Sequence, residues 1–252
     1  MRDFHPKVLP RRDRPLTPKK NRLLVTLPAA DYQRLLPRLG LVRLPLGWAL
    51  YESRSEQNFV YFPTTSIVSL FSFTGDGSSA VVGNEGVVSV APFIGGATTP
   101  SRAVVQSAGY AYRLERSLVK AEFERGGPLQ HLLLRYTQAL ITQLAQSAVC
   151  SRHHTMDQRL CRLLLLNLDR LRGNELNIPQ ELIANMLGVR REAVSEAAGH
   201  LQAAELIHYS RGKITVLDRP KLEAEVCECY AVVKREYDRL LSPEVIPGSV
   251  AN

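Results

Sequence analysis

The first half of the chain consists of short apolar runs separated by turn residues. Runs rich in Val, Phe and Tyr alternate with Gly, Pro and Asp. A spacing of roughly 8–12 residues between such runs is typical of antiparallel strands in a sandwich or barrel. The pattern therefore predicts a β-rich N-terminal half. The predicted strands lie at 41–46, 59–62, 67–73, 80–82, 87–94, 103–106 and 110–114.

The apolar spacing changes to that of a helix after Gly126-Gly127-Pro128. Apolar residues then recur every three or four positions on two faces of one long helix. Because each apolar face needs a surface to pack on, we expect the β-rich half to cover one face and a second subunit to cover the other. Burial of the whole helix within one monomer is the alternative. The first face carries Leu129, Leu133, Tyr136, Leu140 and Leu144, the second carries Leu134, Ile141, Ala145 and Ala148, and the predicted dimer interface is Leu133, Tyr136, Leu140 and Leu144.

Two short helices joined at a glycine are predicted between residues 179 and 203. Ala184 leaves room for the second helix, Gly188 tolerates the positive φ of a tight turn, and Val194 anchors the second helix on the first. An Arg-Gly turn between two short apolar runs then predicts a β-hairpin wing. A helix-turn-helix followed by a wing is a fairly specific indication of binding to double-stranded DNA.

The start of the second helix of this pair is predicted to face DNA, because the first residues of that helix reach base edges in the major groove. An arginine fork suits the O6 and N7 atoms of guanine, a carboxylate accepts from the cytosine amino group, and cations of the wing meet phosphates. Glu196 should also face the groove, where it would repel phosphate unless it pairs with Arg191 or His200. The predicted DNA-contacting residues are Arg190, Arg191, Glu192, Ser195, Glu196, Arg211 and Lys213.

The net charge of +8 lies mostly in the first 22 residues, which hold eight Lys/Arg against two Asp/Glu. This Pro-rich stretch is predicted to be a flexible basic arm. Residues 154–252 hold thirteen Lys/Arg against fourteen Asp/Glu, so the predicted DNA-binding segment is not basic as a whole. The balance leaves a second interpretation open, in which the winged helix is an adaptor that binds a protein partner.

The sequence indicates neither a membrane protein nor an enzyme. No apolar run approaches the ~18 residues of a membrane span, and no apolar segment follows the basic N-terminus as in a secretory signal. The motifs of serine hydrolases, zinc proteases, P-loops and dinucleotide-binding folds are absent. We therefore predict a non-enzymatic protein located in the cytoplasm.

The four cysteines are predicted to be reduced, inert thiols, because their number and spacing do not suit a disulfide framework. Cys227 and Cys229 are too close in sequence to form a zinc site alone, and Cys150 and Cys161 are far from them in sequence. The neighbouring histidines are expected to be solvated. We therefore predict neither a metal site nor another cofactor.

The segment IPQELIANMLGVRREAVSEAAGHLQAAELI, with the wing HYSRGKITV, resembles the DNA-binding domain of the Crp/Fnr family of transcription regulators. The segments FVYFPTTSIVSLFSF, GNEGVVSV and SRAVVQ and the long helix extend the resemblance over roughly residues 22–230. The resemblance implies a homodimer on two-fold-symmetric double-stranded DNA, with RNA polymerase as a further partner. It places Arg191 and Glu192 on the family's base-reading pair, and Glu196 where the family often has a basic residue.

The resemblance also implies an α+β fold in three parts. These are an N-terminal antiparallel β-roll of the double-stranded β-helix type, a long dimerisation helix and a C-terminal winged helix-turn-helix. The predicted boundaries are 1–21 for the flexible arm, 22–127 for the cyclic-nucleotide-binding-like β-roll, 128–152 for the dimerisation helix, 153–230 for the DNA-binding domain and 231–252 for a C-terminal helix and tail.

The effector pocket that the resemblance implies departs from the cyclic-nucleotide pattern. Nucleotide-binding members hold the ribose and phosphate with a Gly-Glu-Leu turn and an Arg-Ser pair, whereas this chain has Gly-Asn-Glu-Gly and the reversed order Ser-Arg. Because neighbouring strand residues point to opposite faces, the reversal turns the arginine away from the pocket. We therefore predict that cyclic AMP does not bind, and that Glu85 and Arg102 are free to form a buried pair or to bind a different anion. The predicted pocket residues are Gly83, Glu85, Gly86, Ser101 and Arg102.

Overall fold

The computed structural model describes residues 6–10, 16–71, 78–171 and 173–242. The described part of the N-terminal half contains seven strands, and their inward side chains form a continuous hydrophobic core. Val, Phe, Tyr and Leu dominate these strands because branched and aromatic side chains pack well on a pleated surface. The strands are β1 (Gly40–Leu44), β2 (Ala49–Tyr51), β3 (Phe59–Pro63), β4 (Ile67–Phe71), β5 (Ser78–Val82), β6 (Arg102–Ser107) and β7 (Gly109–Glu115).

These strands form two antiparallel sheets, in the orders β1-β7-β3 and β2-β6-β4-β5. The predicted antiparallel β-rich half is confirmed. The predicted strand at 87–94 is wrong, since Val88 makes only an isolated bridge to Tyr61 before a short helix at Ala91–Ile94. Pro92 lies in this segment and has no backbone N–H for a sheet ladder. Strand β2 was not predicted.

The described part of the predicted flexible arm is bound to the β-roll. Val8 forms an antiparallel bridge with Val42, and the Leu9 N–H donates to the Leu41 carbonyl at 2.8 Å. Asn21 is fully buried, where its side-chain amide donates to two backbone carbonyls of the roll. The prediction of a free arm is therefore wrong for residues 6–10 and 16–21, because their backbone and side-chain groups find partners on the roll.

Five helices accompany the β-roll, and the last of them is the long helix predicted from the apolar spacing. A proline at its first position suits a helix start, because that position has no intrahelical hydrogen bond to lose. The helices are α1 (Arg22–Thr26), α2 (Ala29–Leu35), α3 (Ala91–Ile94), α4 (Arg116–Glu124) and α5 (Pro128–His153).

The C-terminal part begins with a capping box, in which the Thr155 hydroxyl and the Gln158 side chain satisfy free backbone donors. Two helices joined at a glycine and a three-stranded sheet in the order β8-β10-β9 follow. The predicted helix-turn-helix and wing are confirmed, and the third strand of the wing was not predicted. The elements are α6 (Met156–Leu168), β8 (Glu175–Asn177), α7 (Gln180–Leu187), α8 (Arg191–Ala203), β9 (Ile207–Ser210), β10 (Lys213–Val216), α9 (Arg219–Glu225) and α10 (Cys229–Leu240).

Helix α10 returns across the molecule and packs on α5. The Tyr237 hydroxyl donates to Gln143 Oε1 at 2.9 Å, and the ring of Tyr237 meets Tyr136 edge-on at 6.3 Å between centroids. Gln143 in turn donates to the Val81 carbonyl of β5 at 3.1 Å. These contacts tie the end of the described chain to both the long helix and the β-roll.

The inward face of α5 is filled by contacts within one chain. Leu133, Tyr136 and Leu140 are at most 4 % exposed, so these three members of the predicted dimer interface have no surface to offer a partner. Leu144 is the one predicted interface residue that is exposed. The assignment is wrong because the first apolar face packs on the chain's own core, including α10, whose return was not predicted. The exposed apolar residues of α5 are Leu134, Ile141, Leu144, Ala145, Ala148 and Val149.

Among the described helices, none combines the length and the apolar character that crossing a membrane requires.

Candidate functional site

The two helices α7 and α8 meet at a turn that depends on one left-handed residue. Gly188 ends α7 with a φ of 64°, a conformation that other residues adopt only at a steric cost. The Val189 N–H donates to the Ala184 carbonyl at 3.1 Å and closes the turn. Val194 is fully buried and Ala184 nearly so, as the sequence predicted. The start of α8 is thereby held at a fixed angle to α7.

The seven predicted DNA-contacting residues are all exposed. Arg191 and Glu192 occupy the first turn of α8, and Arg190 is its N-cap residue. The Arg191 Nε atom donates to Gln180 Oε1 at 3.2 Å, and the Ser195 hydroxyl lies at the same distance from that oxygen. Gln180 thus orients both side chains from the start of α7, which no sequence pattern had indicated.

Glu196 lies on the exposed side of α8 without an ion pair to the residues predicted to neutralise it. His200 pairs with Asp157 at 3.0 Å instead, and Arg191 bonds to Gln180. Within the described part of the chain, no cation lies within 4.0 Å of the Glu196 carboxylate. The predicted pairing with Arg191 or His200 is therefore wrong, because both partners are engaged by side chains of other helices.

The wing is a tight hairpin whose turn residues both have positive φ, at 51° for Arg211 and 79° for Gly212. The Gly212 carbonyl accepts from the Ile178 N–H at 2.9 Å, which fixes the turn beside the start of α7. A cleft of about 520 Å³ lies between this turn and the first turn of α8. Its wall includes both Arg191 and Arg211, so the structure brings one predicted base-reading residue and one wing cation to the same cleft.

The Gly83–Gly86 turn is packed by side chains from outside the β-roll. Glu85 is buried and accepts from Arg170 Nε at 2.9 Å, in an ion pair whose side chains are 8 % and 6 % exposed. A Cβ on Gly86 would lie 2.4 Å from Cε2 of Tyr136, so only glycine fits there. The predicted Glu85–Arg102 pair is wrong, because Arg102 points outward and lies 3.8 Å from Glu52.

A separate cavity of about 520 Å³ opens between the β-roll and α5. Of the five predicted pocket residues, Ser101 alone is among its lining residues. No described residue that lines the cavity carries a charge. Two buried polar atoms in its wall, Gln57 Oε1 and Ser89 Oγ, have no hydrogen-bond partner within the described chain. The wall includes Tyr51, Gln57, Leu70, Val87, Ser89, Ile94, Thr99, Ser101, Leu140 and Leu144.

Three cysteines and a histidine converge where α5 meets the segment before α10. The ligand atoms of Cys150, His154, Cys227 and Cys229 all lie within 4.8 Å of one another. Cys150 is distant in sequence from the Cys227/Cys229 pair, yet its Sγ atom lies 3.6 Å from that of Cys227. The contact forms because α10 folds back along α5. The structure therefore contains a Cys3His group that could hold a metal, where the sequence had predicted inert thiols.

The fourth cysteine has a different environment. Cys161 lies on α6 among the leucines of the main core and is fully buried. Burial raises the pKa of its thiol to about 12. Burial also raises the pKa of the Cys150 thiol, where the charge of Arg162 acts in the opposite direction.

The C-terminal part matches a known domain in sequence. Residues 158–225, which span α6 to α9, match the model of the Crp-like helix-turn-helix domain. This chain therefore carries a Crp-like helix-turn-helix domain. The match covers the helix-turn-helix, the wing and the helices on either side of them, and it does not extend to the β-rich half.

Solved structures extend the Crp/Fnr likeness to the whole fold. FixK2 from Bradyrhizobium japonicum has a TM-score of 0.63 at 16 % identity, over 75 % of this chain and 98 % of that protein. A CRP-family transcriptional regulator from Thermus thermophilus has a TM-score of 0.60 at 18 % identity, over 73 % of this chain and 95 % of that protein. The c-di-GMP responsive regulator CLP from Xanthomonas campestris has a TM-score of 0.59 at 15 % identity, over 76 % of this chain and 100 % of that protein. A search of curated protein sequences found no significant match. The Crp/Fnr fold is thus shared at low sequence identity. Identity this low does not indicate which effector or which DNA site the chain recognises.

Proposed function

We propose that the chain is a sequence-specific DNA-binding regulator that inserts α8 into the major groove of double-stranded DNA. The observation that carries this proposal is the exposed Arg191-Glu192 pair on the first turn of a helix held by a helix-turn-helix. Because Gln180 engages only Nε of Arg191, the terminal N–H groups remain available for the O6 and N7 atoms of a guanine. Glu192 would accept from the amino group of a neighbouring cytosine.

In this arrangement the carboxylate of Glu196 is better placed to contact DNA bases than DNA phosphates. It lies one turn beyond Glu192 on the same exposed side of α8, and no cation of the described chain forms an ion pair with it. A carboxylate near phosphate is repelled, whereas a cytosine amino group in the groove would donate to it. We therefore assign Glu196 to the choice of bases and Ser195 to a base or a phosphate.

The cations of the wing would hold the phosphate backbone. Arg211 at the turn and Arg190 at the N-cap are exposed on either side of the α8 start. Lys213 pairs with Glu175 at 2.7 Å, with both side chains about half exposed. Such an exposed pair is weak, so that Lys213 can exchange its carboxylate for a phosphate. These contacts would position the domain without specifying sequence.

A homodimer would present two copies of α8 to a two-fold-symmetric site. The outward face of α5 supports this arrangement, because Leu134, Ile141 and Leu144 are exposed at helical spacing along it. Ala145 and Ala148 lie on the same face and leave room for close approach of a second helix. We place the dimer interface on this face. Half-sites would then lie about one DNA turn, roughly 34 Å, apart.

The cavity beside α5 supports a sensor domain that does not take cyclic AMP. A cyclic phosphate needs a cation or several donors at close range, and no described residue of the wall is charged. Arg102 lies outside the wall, and Arg170 is engaged by Glu85. A neutral, partly apolar molecule that satisfies Gln57 and Ser89 suits this cavity better than a nucleotide.

The salt dependence of DNA binding tests the proposed function. The affinity of the full chain for its selected DNA site should fall steeply with salt. A plot of the logarithm of the binding constant against the logarithm of the salt concentration should have a slope of about −0.9 per phosphate contacted. The variant Lys213→Ala should make this slope shallower by the amount of one phosphate contact, about 0.9, and leave the preferred DNA sequence unchanged. Affinity that is insensitive to salt, or no binding at low salt, would favour the protein-adaptor interpretation.

A further inference from the structure

The cysteine-histidine group at the end of α5 joins two segments that are distant in sequence. Cys150 lies in the last turn of α5, and His154 is the C-cap residue, whose N–H donates to the Cys150 carbonyl at 3.2 Å. Cys227 precedes α10 and Cys229 is its first residue. The three cysteines are at most 3 % exposed. Two ligands therefore come from the long helix and two from the segment that leads into α10.

Two distances within this group match those around one tetrahedral ion. Zinc binds thiolate sulfur at about 2.3 Å and imidazole nitrogen at about 2.0–2.1 Å, which separates two sulfurs by about 3.8 Å and a sulfur from a nitrogen by about 3.6 Å. The Cys150 and Cys227 sulfurs are 3.6 Å apart, and Cys229 Sγ lies 3.7 Å from His154 Nδ1. A disulfide would need sulfurs at about 2.05 Å, far closer than the pair seen here.

The histidine has a carboxylate beside its second ring nitrogen. His154 Nε2 lies 3.2 Å from Glu228 Oε1, whereas Nδ1 lies 3.7 Å from Cys229 Sγ. A proton on Nε2, next to this carboxylate, would leave the lone pair of Nδ1 facing Cys229. Metal-bound histidines in proteins are typically supported by such an outer carboxylate. Glu228 lies between Cys227 and Cys229, so the short Cys-x-Cys spacing supplies both ligands and the outer partner.

We propose that Cys150, His154, Cys227 and Cys229 bind one Zn²⁺ ion in a closed structural site. Three thiolates and one imidazole complete a tetrahedral set, which leaves no position for a substrate. Multi-iron clusters attach their cysteines to different iron atoms and spread the sulfurs further than a single ion does. The compact group, with all ligand atoms within 4.8 Å, therefore selects a single ion.

The ion would fix the joint between the sensor half and the DNA-binding domain. His154 is the C-cap of α5, and Thr155 is the N-cap of α6, which leads into the Crp-like domain. Binding to Cys227 and Cys229 locks this joint against α10. A consequence for DNA binding rests on the proposed function, whereas the metal site itself does not.

Metal content and cobalt spectra of the full chain test the site without reference to DNA. Protein purified without chelator should contain about one zinc per chain, and Cys161→Ala, a buried cysteine outside the group, should keep it. Cys229→Ala should contain less than about 0.1. Cobalt added to metal-free wild type should give the visible bands of tetrahedral Co²⁺ and a thiolate charge-transfer band, saturating at about one equivalent.

A second variant keeps the test decisive if Cys229→Ala does not fold. Glu228→Gln changes an exposed side chain and should weaken zinc binding about 10- to 100-fold in competition with a chelator. Wild-type protein without zinc and without cobalt bands would overturn the proposal. An iron-sulfide chromophore in place of zinc, or a Cys150–Cys227 disulfide found by mass spectrometry, would also overturn it.

Discussion

The DNA-facing surface and the cavity beside α5 differ in charge and exposure. The first carries Arg190, Arg191 and Arg211 in solvent, on a helix start and a wing turn. The cavity is of similar volume to the cleft at that surface, yet none of the described residues in its wall is charged. Described cations thus lie where the proposal places DNA phosphate, and none of them lines the cavity. This difference supports our proposal that the chain binds DNA without a cyclic nucleotide.

A buried ion pair links the β-roll to the Crp-like domain. Glu85 belongs to the turn of the β-roll that resembles a nucleotide-binding turn, and Arg170 follows α6 at the base of the Crp-like domain. Gln106 and Asn167 form a second buried hydrogen bond across the same boundary. The turn that would hold a ligand thus holds the neighbouring domain.

We expect the largest effect from a variant that disrupts the proposed dimer, because a two-fold-symmetric DNA site needs two copies of α8. Ile141→Glu places a charge on the outward face of α5, where burial of unpaired charge opposes dimer formation. Light scattering should then give a monomer mass, and affinity for a two-fold site should fall by about 10²–10⁴-fold because the second half-site no longer binds intramolecularly. Val25→Glu, at a half-exposed position on α1, is the matched control and should remain dimeric. A dimer mass for Ile141→Glu would place the interface elsewhere.

Glu85→Gln tests the link between the β-roll and the Crp-like domain. The variant leaves the buried Arg170 guanidinium without its counter-charge, and we expect the free energy of unfolding to fall by about 3–5 kcal/mol in urea denaturation. Glu124→Gln removes an exposed ion pair with Lys120 and should cost at most about 1 kcal/mol. Equal losses for the two variants would show that the buried pair does not hold the domains together.

The charged region itself is tested by Arg191→Ala. Loss of one bidentate base contact should weaken binding to the preferred site by about 1–3 kcal/mol and relax the choice at one base pair. Arg239→Ala, an exposed arginine on α10, should leave binding unchanged. Competition against single-base variants of the site measures this. A loss that is equal for all sequences would mean that Arg191 contacts phosphate.

The smallest expected effect concerns the uncharged cavity. Saturating cyclic AMP should change DNA affinity by less than about 2-fold, below the 5–150-fold range of typical allosteric coupling. Isothermal titration with cyclic AMP, cyclic GMP and cyclic di-GMP should show no micromolar binding. Micromolar binding of any of them would contradict the proposal that the cavity does not bind a cyclic nucleotide.

The helix-turn-helix could be predicted from the sequence because neighbouring residues determine it. Ala184, Gly188 and Val194 fall within about twenty residues, and their small size, positive φ and burial are local requirements. The outward direction of Arg102 needed the resemblance as well, because strand alternation gives a direction only once the family's register is assumed.

The remaining site features depend on the return of α10 and on the packing of the two halves. Cys150 and Cys227 are 77 residues apart, and they meet only because α10 folds back on α5. The pairing of Glu85 with Arg170 joins the β-roll to the segment after α6 and has no local sequence pattern. The inward face of α5 was assigned to a dimer partner for the same reason. Periodicity shows that two faces are apolar, but not which of them the chain itself covers.

Selection of bound sequences from a random DNA pool, with no effector added, tests whether the chain binds DNA as a dimer without a ligand. We expect enrichment of a two-fold-symmetric site with half-sites about one helical turn apart, roughly 34 Å. We also expect Arg191→Ala to change the selected bases at one position in each half-site. No enrichment without an effector, or enrichment of a single asymmetric half-site, would contradict a dimeric regulator that binds DNA without a ligand.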